Sequence, residues 1–284
     1  MSATNPTVTP FFDPTTWTFS YVVADLATSV AAIIDPVLDY DPVTRETSTH
    51  SARKLLDYVM LQGLNVQWIL ETHAHADHLS AAQWLKTELG GQPRIGIGID
   101  IRRVQETFKR RLSLEPDFPT DGSQFDVLLA DGESLSLGTL SIEVIATPGH
   151  TPDSVTYLMG DAAFVGDTIF APRYGSARCD FPGGDARRLY DSMQRLLSLP
   201  AQTRIYLCHD YPPEGVEPQY VTDPLSQREN VHLKNVVTAD EFVQMREARD
   251  ATLSPPKLLE PSLRANIRAG HLSDPFFKVQ GETA

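Results

Sequence analysis

The amino-acid sequence predicts an α/β protein built of packed layers, and three features of its pattern support this. Up to about residue 100, short apolar strand patterns alternate with amphipathic helix patterns. The middle of the chain is rich in strand patterns separated by turn dipeptides such as Asp131-Gly132 and Gly160-Asp161. Strand and helix patterns then alternate again. Helices on two sides of packed sheets would fit this order.

The first third of the chain predicts both strands and helices. Alternation of Phe19, Tyr21 and Val23 with other residues indicates a strand. Apolar residues at helical spacing predict a helix over 47–63, with Gly63 suited to end it. The other elements predicted here are strands at 31–34, 66–70 and 94–98 and a helix at 78–89.

The rest of the chain continues this alternation. Apolar runs at 140–145 and 155–158 predict strands, and 204–208 predicts another. Residues 185–197 predict a helix that carries Leu189, Met193 and Leu196 on one face. After about residue 212 the chain becomes helical and proline-punctuated, with its clearest helix at 239–252.

Composition excludes several classes of protein. The 284 residues include 37 acids and 24 bases, so the formal charge is −13, which disfavours binding to nucleic acid or an anionic membrane. No apolar run reaches the length of a transmembrane helix. The first basic residue is Arg45, so the N-terminus lacks the charge of a targeting segment. With only Cys179 and Cys208, a disulfide scaffold is excluded. We expect a soluble cytoplasmic protein.

The strongest chemical signal is the segment Thr72-His73-Ala74-His75-Ala76-Asp77-His78, which follows a predicted strand. Imidazole and carboxylate groups are ligands for divalent first-row metals, and a loop leaving a strand can turn several of them towards one point. The alternative is a surface loop in which Asp77 caps the following helix, but a cap needs one acid and no histidines. The segment therefore predicts a metal site.

Three further ligand-type residues stand at the ends of predicted strands. They are His150, Asp167 and His209. Each alone has an ordinary structural explanation, as a turn residue or a histidine at the edge of the core. Their shared placement in a chain that also carries the 72–78 segment favours a common site. The histidines His50, His232 and His271 have no such setting, and we expect them at the surface or in packing.

This ordered set of residues closely resembles the metallo-β-lactamase superfamily. The resemblance implies a four-layer αβ/βα sandwich in one domain over residues 1–284, with a core at about 18–212 and a helical extension at about 213–284. It also implies up to two metal sites at one edge between the sheets. One set would be His73, His75, His150 and Asp167, and the other would be Asp77, His78, His209 and the bridging Asp167.

Within the superfamily, several segments look like those of the persulfide dioxygenases, also called sulfur dioxygenases. They are TPGHTPDS (147–154), GDTIF (166–170), RCDFPGGDARRLYDSM (178–193), HDY (209–211) and ANIRAG (265–270). This family implies one Fe(II) per chain held by His73, His150 and Asp167, which leaves open positions for substrate and oxygen. His75, Asp77, His78 and His209 would then be a vestigial or second site. The reaction implied converts glutathione persulfide and O₂ to sulfite and glutathione.

Substrate-binding residues are predicted in the segments that carry this resemblance. Arg178 and Arg268 would bind the carboxylates of glutathione, since arginine matches carboxylates bidentately. Asn266 would add an amide hydrogen bond, and Tyr211 would reach the metal pocket. Asp210 would orient a histidine or a loop near the metal. The loop 171–175 is longer than in animal-type members, so no role is assigned to Arg173 or Tyr174 there.

Alternative functions remain open at this stage. The glyoxalase II thioesterases share the metal residues and the fold, and would bind zinc or a second metal to activate a bridging water. Lactonase or β-lactamase activity is a more distant possibility, and a binding protein on a degenerate hydrolase scaffold is another. Each arginine could also form an ordinary surface ion pair, and Tyr211 could simply pack beside its strand. A homodimer is expected by family analogy alone.

Overall fold

The computed structural model describes residues 5–235, 238–274 and 276–277, and its strands account for the apolar patterns of the sequence. In chain order the strands are β1 (Thr7–Asp13), β2 (Thr18–Asp25), β3 (Val30–Ile34), β4 (Val37–Tyr40), β5 (Thr47–Ser48), β6 (Asn65–Leu70), β7 (Leu79–Ser80), β8 (Arg94–Gly98), β9 (Val127–Leu129), β10 (Ser134–Leu137), β11 (Leu140–Ala146), β12 (Val155–Met159), β13 (Ala162–Phe164), β14 (Arg204–Tyr206) and β15 (Val221–Thr222). The helices are α1 (His50–Leu61), α2 (Ala82–Glu88), α3 (Ile101–Arg111), α4 (Ala186–Leu197), α5 (Ala239–Asp250) and α6 (Leu259–Asn266).

The first sheet has the order β1-β2-β3-β6-β8-β9. β1, β2 and β3 pair antiparallel, whereas β3, β6, β8 and β9 are parallel. Parallel neighbours need crossover connections, and α1, α2 and α3 lie in those connections. Helices cover one face of these strands and the second sheet covers the other. The sequences of the strands are therefore continuous apolar runs.

The second sheet has the order β10-β11-β12-β13-β14-β15. β10 to β13 form an antiparallel meander, and β13 pairs parallel with β14 across the crossover that contains α4. A small third sheet, β5-β4-β7, lies beside the loop that carries most of the predicted ligands.

Alternating side chains of β2 divide the core into layers. Tyr21 and Val23 point between the two sheets, and Val22 and Ala24 point towards the helices that cover the first sheet. The residues on the outer side of the second sheet pack against α4 and α5. The order helix, sheet, sheet, helix confirms the predicted four-layer sandwich.

The C-terminal segment contributes to both outer layers, because α5 packs on the outer side of the second sheet and α6 on that of the first. Leu263 and Ala265 of α6 are buried in the core cluster that covers the outer face of the first sheet. The segment predicted as an extension therefore packs on both outer faces of the sandwich. Within the described ranges, no helix combines the length and the apolar content that crossing a bilayer would need.

Several elements differ from the sequence-based expectation. The helix predicted over 78–89 begins only at Ala82, because Leu79 and Ser80 pair as a strand with Leu38 and Val37. The helix α3 and the first strand β1 were not predicted. In α3 the aliphatic positions are few and basic residues dominate, although Val104 and Phe108 are buried.

Candidate metal centre

The loop from Glu71 to Ser80 leaves β6 and is fixed by three side chains from elsewhere in the fold. Asp35 accepts hydrogen bonds from the backbone N–H (2.7 Å) and the hydroxyl (2.9 Å) of Thr72. Asp153 accepts one from the N–H of Ala74 at 2.8 Å. Asn266 donates to the carbonyls of His75 and His78, both at 2.8 Å. The loop is therefore held in place independently of any metal.

Three strand ends of the second sheet bring the remaining ligand-type residues to the same edge. His150 follows β11, Asp167 follows β13 and His209 follows β14. Gly149 and Gly166, which precede two of them, both have positive φ angles (145° and 52°). These tight turns direct the following side chains back towards the loop 71–80.

His73, His150 and Asp167 form one group of buried side chains. Their ligand atoms all lie within 4.8 Å of one another. The Nε2 atom of His150 is 3.7 Å from Asp167 Oδ2, and its Nδ1 is 2.7 Å from the carbonyl oxygen of Arg178. The Nδ1 of His73 is 3.1 Å from the Thr72 hydroxyl. Both rings are thus anchored through Nδ1 and present Nε2 to the centre of the group.

A second group lies on the other side of Asp167. His75, His78, Cys208 and His209 place their ligand atoms within 4.8 Å of one another. The Nε2 atom of His209 is also 3.2 Å from Asp77 Oδ2 and 3.4 Å from Asp167 Oδ1. Asp167 therefore faces both groups: one of its carboxylate oxygens faces the first group, and the other faces the second.

His75 belongs to this second group and not to the first. Its Nε2 lies 3.0 Å from Asp35 Oδ1 and 3.8 Å from Glu71 Oε2. Burial by itself would lower the pKa of His75, but the charge and hydrogen bond of Asp35 outweigh it and raise the pKa to about 9. Burial, together with the charge of Asp35, raises the pKa of Glu71 to about 8.

The residues present fit a metal ion. Among the described residues, His73 Nε2, His78 Nε2, His209 Nε2 and Asp167 Oδ1 are buried without a hydrogen-bond partner. Buried polar atoms are rarely left unpaired, since this costs free energy. Burial and the neighbouring histidines lower the pKa of His73 well below its usual range, so its imidazole is neutral, as a metal ligand must be. The set of donors indicates a metal centre.

A cavity of about 620 Å³ opens onto this centre. Asp77, His150 and Asp167 form part of its floor. Tyr211 lines this cavity, with its ring stacked on that of His209 (centroids 6.0 Å apart) and tilted against that of Tyr174 (4.8 Å).

The predicted substrate residues are distributed differently. Arg178 lines the cavity, with three of its N–H donors bound by Asp180 and the carbonyl of Ser254. Arg268 is not among the lining residues. Its guanidinium is buried, donates to both carboxylate oxygens of Glu115 at 2.8 Å, and lies over the ring of Phe118. The guanidinium of Arg268 therefore faces Glu115 and not the cavity.

Two other predictions are refined by contacts. The side chain of Asn266 faces the backbone of the loop 71–80 and not the cavity, because its amide nitrogen donates hydrogen bonds to the carbonyls of His75 and His78. Asp210 accepts hydrogen bonds from Arg173 and from the N–H of Gln219. It thus holds the loop that contains Arg173 and makes no contact of this kind with a histidine.

Sequence reasoning missed several residues around the site. Asp35 follows the buried strand β3, so the argument from strand ends that identified Asp167 would also have found it. Arg249 and Lys257 line the cavity from the C-terminal segment, where no motif marked them. His232, expected at the surface or in packing, is buried and accepts a hydrogen bond at 2.9 Å from the N–H of Ser176.

Curated relatives carry different names. A probable metallo-hydrolase of Burkholderia pseudomallei is 52% identical over 280 residues, 95% of each chain. Glyoxylase B2 of Dictyostelium discoideum is 49% identical over 253 residues, which are 88% of this chain and 86% of that protein. The human mitochondrial persulfide dioxygenase ETHE1 is 29% identical over 262 residues, 91% of this chain and 87% of that protein.

A solved structure and a family profile agree with the fold. The crystal structure of ETHE1 from Myxococcus xanthus superposes with a TM-score of 0.74 at 30% identity, covering 93% of this chain and all of that one. The profile of the metallo-beta-lactamase superfamily matches residues 18–209, which run from β2 to the last of the clustered histidines. With its four-layer fold and its cluster of histidines and aspartates at the sheet edge, the chain belongs to the metallo-β-lactamase superfamily.

Proposed function

We propose that this protein is a non-haem Fe(II) persulfide dioxygenase that oxidises glutathione persulfide with O₂ to sulfite and glutathione. The observation that carries the proposal is the group of His73, His150 and Asp167, whose two imidazoles and one carboxylate place their ligand atoms within 4.8 Å of one another. Two histidines and one carboxylate are the typical ligand set of non-haem Fe(II) oxygenases, because they leave coordination positions open.

Similarity to known proteins supports the same reaction. The human relative is named a persulfide dioxygenase, and the Myxococcus structure carries the same ETHE1 name. Residues 178–193 also resemble the segment that distinguishes persulfide dioxygenases from glyoxalase II. In the structure this segment begins at the cavity wall with Arg178 and continues into α4.

In the proposed mechanism the chain binds, orients and shields the reactants. Iron held by His73, His150 and Asp167 would supply the activation of oxygen. Arg178 has two guanidinium N–H donors left after its contacts with Asp180 and Ser254, and these would bind a carboxylate of the thiol carrier. One persulfide, one O₂ and one water give one thiol and one sulfite with its protons, so atoms and charge balance.

The walls of the cavity suit an anionic substrate that carries a reactive sulfur. Arg249 and Lys257 are exposed and line the cavity beside Arg178, so positive charge lines its wall although the whole chain carries −13. On the inner side, Tyr211 would contact the substrate sulfur. Positioning of this kind lowers the entropy cost of bringing the reactants together.

The second candidate is a dinuclear thioester hydrolase like glyoxalase II, with zinc or a second metal. The position of His209 between Asp77 and Asp167 favours it, because a second ion could bind beside the first. The names of the Burkholderia and Dictyostelium relatives point the same way.

Anaerobic metal analysis followed by oxygen-electrode recording with glutathione persulfide tests the proposal. We expect about one iron per chain, oxygen uptake that depends on persulfide, and sulfite as the product. Asp167→Ala should lose iron and activity, whereas Asp191→Ala, on the exposed side of α4, should retain both. Two metals per chain, no oxygen uptake and hydrolysis of lactoylglutathione would overturn the dioxygenase in favour of the hydrolase.

The cytoplasmic location and the homodimer expected from the sequence stay predictions. Size-exclusion chromatography with light scattering would measure the mass in solution. Fractionation of the cells that produce the protein would locate it.

A further inference from the structure

We propose that Asp250, the last residue of α5, orients and polarises the metal ligand His150 through a single peptide group, the one that joins Arg178 to Cys179. Asp250 is then a positioning residue, since it is not among the described residues that line the substrate cavity. The inference rests on the proposed function, in which His150 binds the iron. It adds a residue that lies outside all the segments on which the family resemblance was based.

The peptide group between Arg178 and Cys179 has one hydrogen-bond partner on each side. Its N–H donates to Oδ2 of Asp250 at 2.7 Å. Its carbonyl oxygen lies 2.7 Å from Nδ1 of His150. This peptide is trans and planar, so its N–H and its C=O point in opposite directions. Asp250, the peptide group and His150 therefore form one continuous hydrogen-bond relay.

The relay determines which nitrogen of His150 carries the proton. A carbonyl oxygen can only accept a hydrogen bond, so Nδ1 of His150 is the donor, and in the neutral ring Nε2 then carries no proton. Nε2 is the atom that lies 3.7 Å from Oδ2 of Asp167, towards the centre of the first group of ligands. The relay therefore presents the lone pair of Nε2 to the metal.

The negative charge of Asp250 acts on His150 through the same peptide group. A hydrogen bond from the N–H to a carboxylate polarises the peptide, and its carbonyl oxygen becomes a stronger acceptor for the Nδ1 proton. Metal-binding histidines commonly donate to a carboxylate or a carbonyl, which orients the ring and raises its basicity. Here a peptide group stands between the carboxylate and the imidazole, so the carboxylate strengthens the bond that orients the ring.

Arg246 holds the carboxylate of Asp250 in this position. Its Nε and Nη2 donate to Oδ1 of Asp250 at 3.0 and 2.6 Å, and its Nη1 donates to the carbonyl of Ser176 at 3.2 Å. Oδ2 of Asp250 is thus left for the N–H of Cys179. Arg246 and Asp250 are only 1% and 5% exposed. A buried ion pair contributes little net stability, because desolvation offsets the attraction, so what this pair supplies is a fixed geometry.

A double-mutant cycle for metal affinity tests the relay. The dissociation constant for Co(II) is measured anaerobically, by competition with a chromophoric chelator, in the unsubstituted protein, Asp250→Asn, His150→Ala and the double variant. Asparagine keeps the size of the side chain but removes the charge that polarises the peptide. We expect Asp250→Asn to weaken Co(II) binding about tenfold. In the His150→Ala background the same substitution should change the constant by less than about twofold, because its effect passes through His150.

A second measurement needs no metal. In protein labelled with ¹⁵N-histidine, the NMR signal of the proton on Nδ1 of His150 is assigned by its loss in His150→Ala. We expect this proton signal to move upfield in Asp250→Asn, because a weaker hydrogen bond leaves the proton more shielded. If Asp250 only stabilised the fold, the signal would stay in place in the folded variant, and circular dichroism verifies folding.

Asp161→Asn is the matched control. Asp161 also accepts two hydrogen bonds from one arginine, Arg204, at 2.6 and 3.0 Å, but this pair lies at the start of β14. The substitution should change neither the Co(II) dissociation constant nor the signal of His150. If Asp250→Asn does not fold because the charge of Arg246 is left unpaired, Arg246→Met/Asp250→Asn removes that charge, and the same comparisons are made with it.

Two outcomes would overturn the relay alone. One is an equal loss of Co(II) affinity on Asp250→Asn in the presence and in the absence of His150. The other is a variant Asp250→Asn in which neither Co(II) affinity nor the proton signal changes. Unchanged Co(II) binding in His150→Ala is a different result, because it would overturn the ligand assignment of the proposed function together with the relay.

Discussion

Asn266 links the C-terminal helix to the loop that carries four of the candidate ligands. Its amide donates to the carbonyls of His75 and His78, and its carbonyl oxygen accepts a hydrogen bond from the N–H of Ser80 at 2.8 Å. The side chain is buried, so no water can replace these bonds easily. We infer that Asn266 positions the ligands and does not contact substrate.

Replacing Asn266 by aspartate tests this positioning role. The carboxylate keeps the acceptor for Ser80 but loses both donors, and it places negative charge against two carbonyl oxygens. We expect the free energy of unfolding to fall by about 3 kcal/mol, since buried unsatisfied acceptors cost about 1–3 kcal/mol each. Metal content per chain should fall, while KM and the turnover of each metal-loaded chain stay within about twofold.

A matched variant keeps this test specific. Asn65→Asp introduces the same change at an exposed position at the start of β6, and we expect an effect within about 0.5 kcal/mol. A large rise in KM for Asn266→Asp at unchanged metal content would instead assign the residue to the substrate, as the sequence predicted.

Asn266 and Arg268, compared with the histidines, show what residue types alone could predict. Both were assigned to substrate because their segment resembles a glutathione-binding region. The identity of a ligand-type histidine follows from its spacing and its strand end, whereas the direction of a side chain in a helix end depends on its tertiary partners. Glu115 binds Arg268, and the two partners are 153 residues apart in the chain. No local pattern records such a pairing.

At the scale of elements, the turn between β11 and β12, which packs against α4, sets the position of His150. Gly149 has φ of 145°, and a Cβ atom there would lie 2.3 Å from both the Cα and the backbone nitrogen of Leu189 in α4. Its carbonyl accepts a hydrogen bond from the N–H of Asp185 at 2.8 Å, at the start of the same helix. Only glycine allows the turn and the helix to approach this closely.

Gly149→Ala should therefore push α4 away from the turn and displace His150. We expect a loss of about 3 kcal/mol in the free energy of unfolding, measured by urea denaturation, with reduced metal content. Gly132→Ala is the control, because Gly132 also has a positive φ (79°) but no atom within 4 Å of its Cβ position. It should cost about 1 kcal/mol, which is the backbone strain alone. Equal losses in both variants would contradict the packing argument.

The helix expected over 78–89 shows why element boundaries near a site are difficult to predict. Apolar spacing correctly identifies α2, whose Leu85 is fully buried. The first four residues of the pattern, 78–81, are not helical. Leu79 and Ser80 pair with β4, and the N–H of Ser80 donates a hydrogen bond to Asn266. Long-range bonds of this kind outweigh local helix propensity.

At the scale of the whole molecule, the candidate ligands come from both sheets. His73, His75, Asp77 and His78 follow β6 of the first sheet, and His150, Asp167 and His209 follow strands of the second. Strand ends are visible in a single sequence, so the placement of these residues favoured a common site, and the family resemblance implied that the site lies at one edge between the sheets. The sequence could not predict the division into two groups, since that depends on ring orientations fixed by Asp35, Leu79 and Trp17.

Because ligands from both sheets would bind the same ion, metal should stabilise the entire sandwich and not the loop alone. An ion that binds only the folded state adds about 4 kcal/mol when its concentration is a thousand times its dissociation constant. For a chain of this size about 1 kcal/mol corresponds to a few degrees in Tm. Removing the metal with a chelator should therefore lower Tm by about 10 °C in a single transition, measured by calorimetry. Asp167→Ala, which faces both groups, should start from the lower Tm and respond to the chelator far less. A chelator effect confined to local protease sensitivity, with Tm unchanged, would mean that the metal does not join the two sheets.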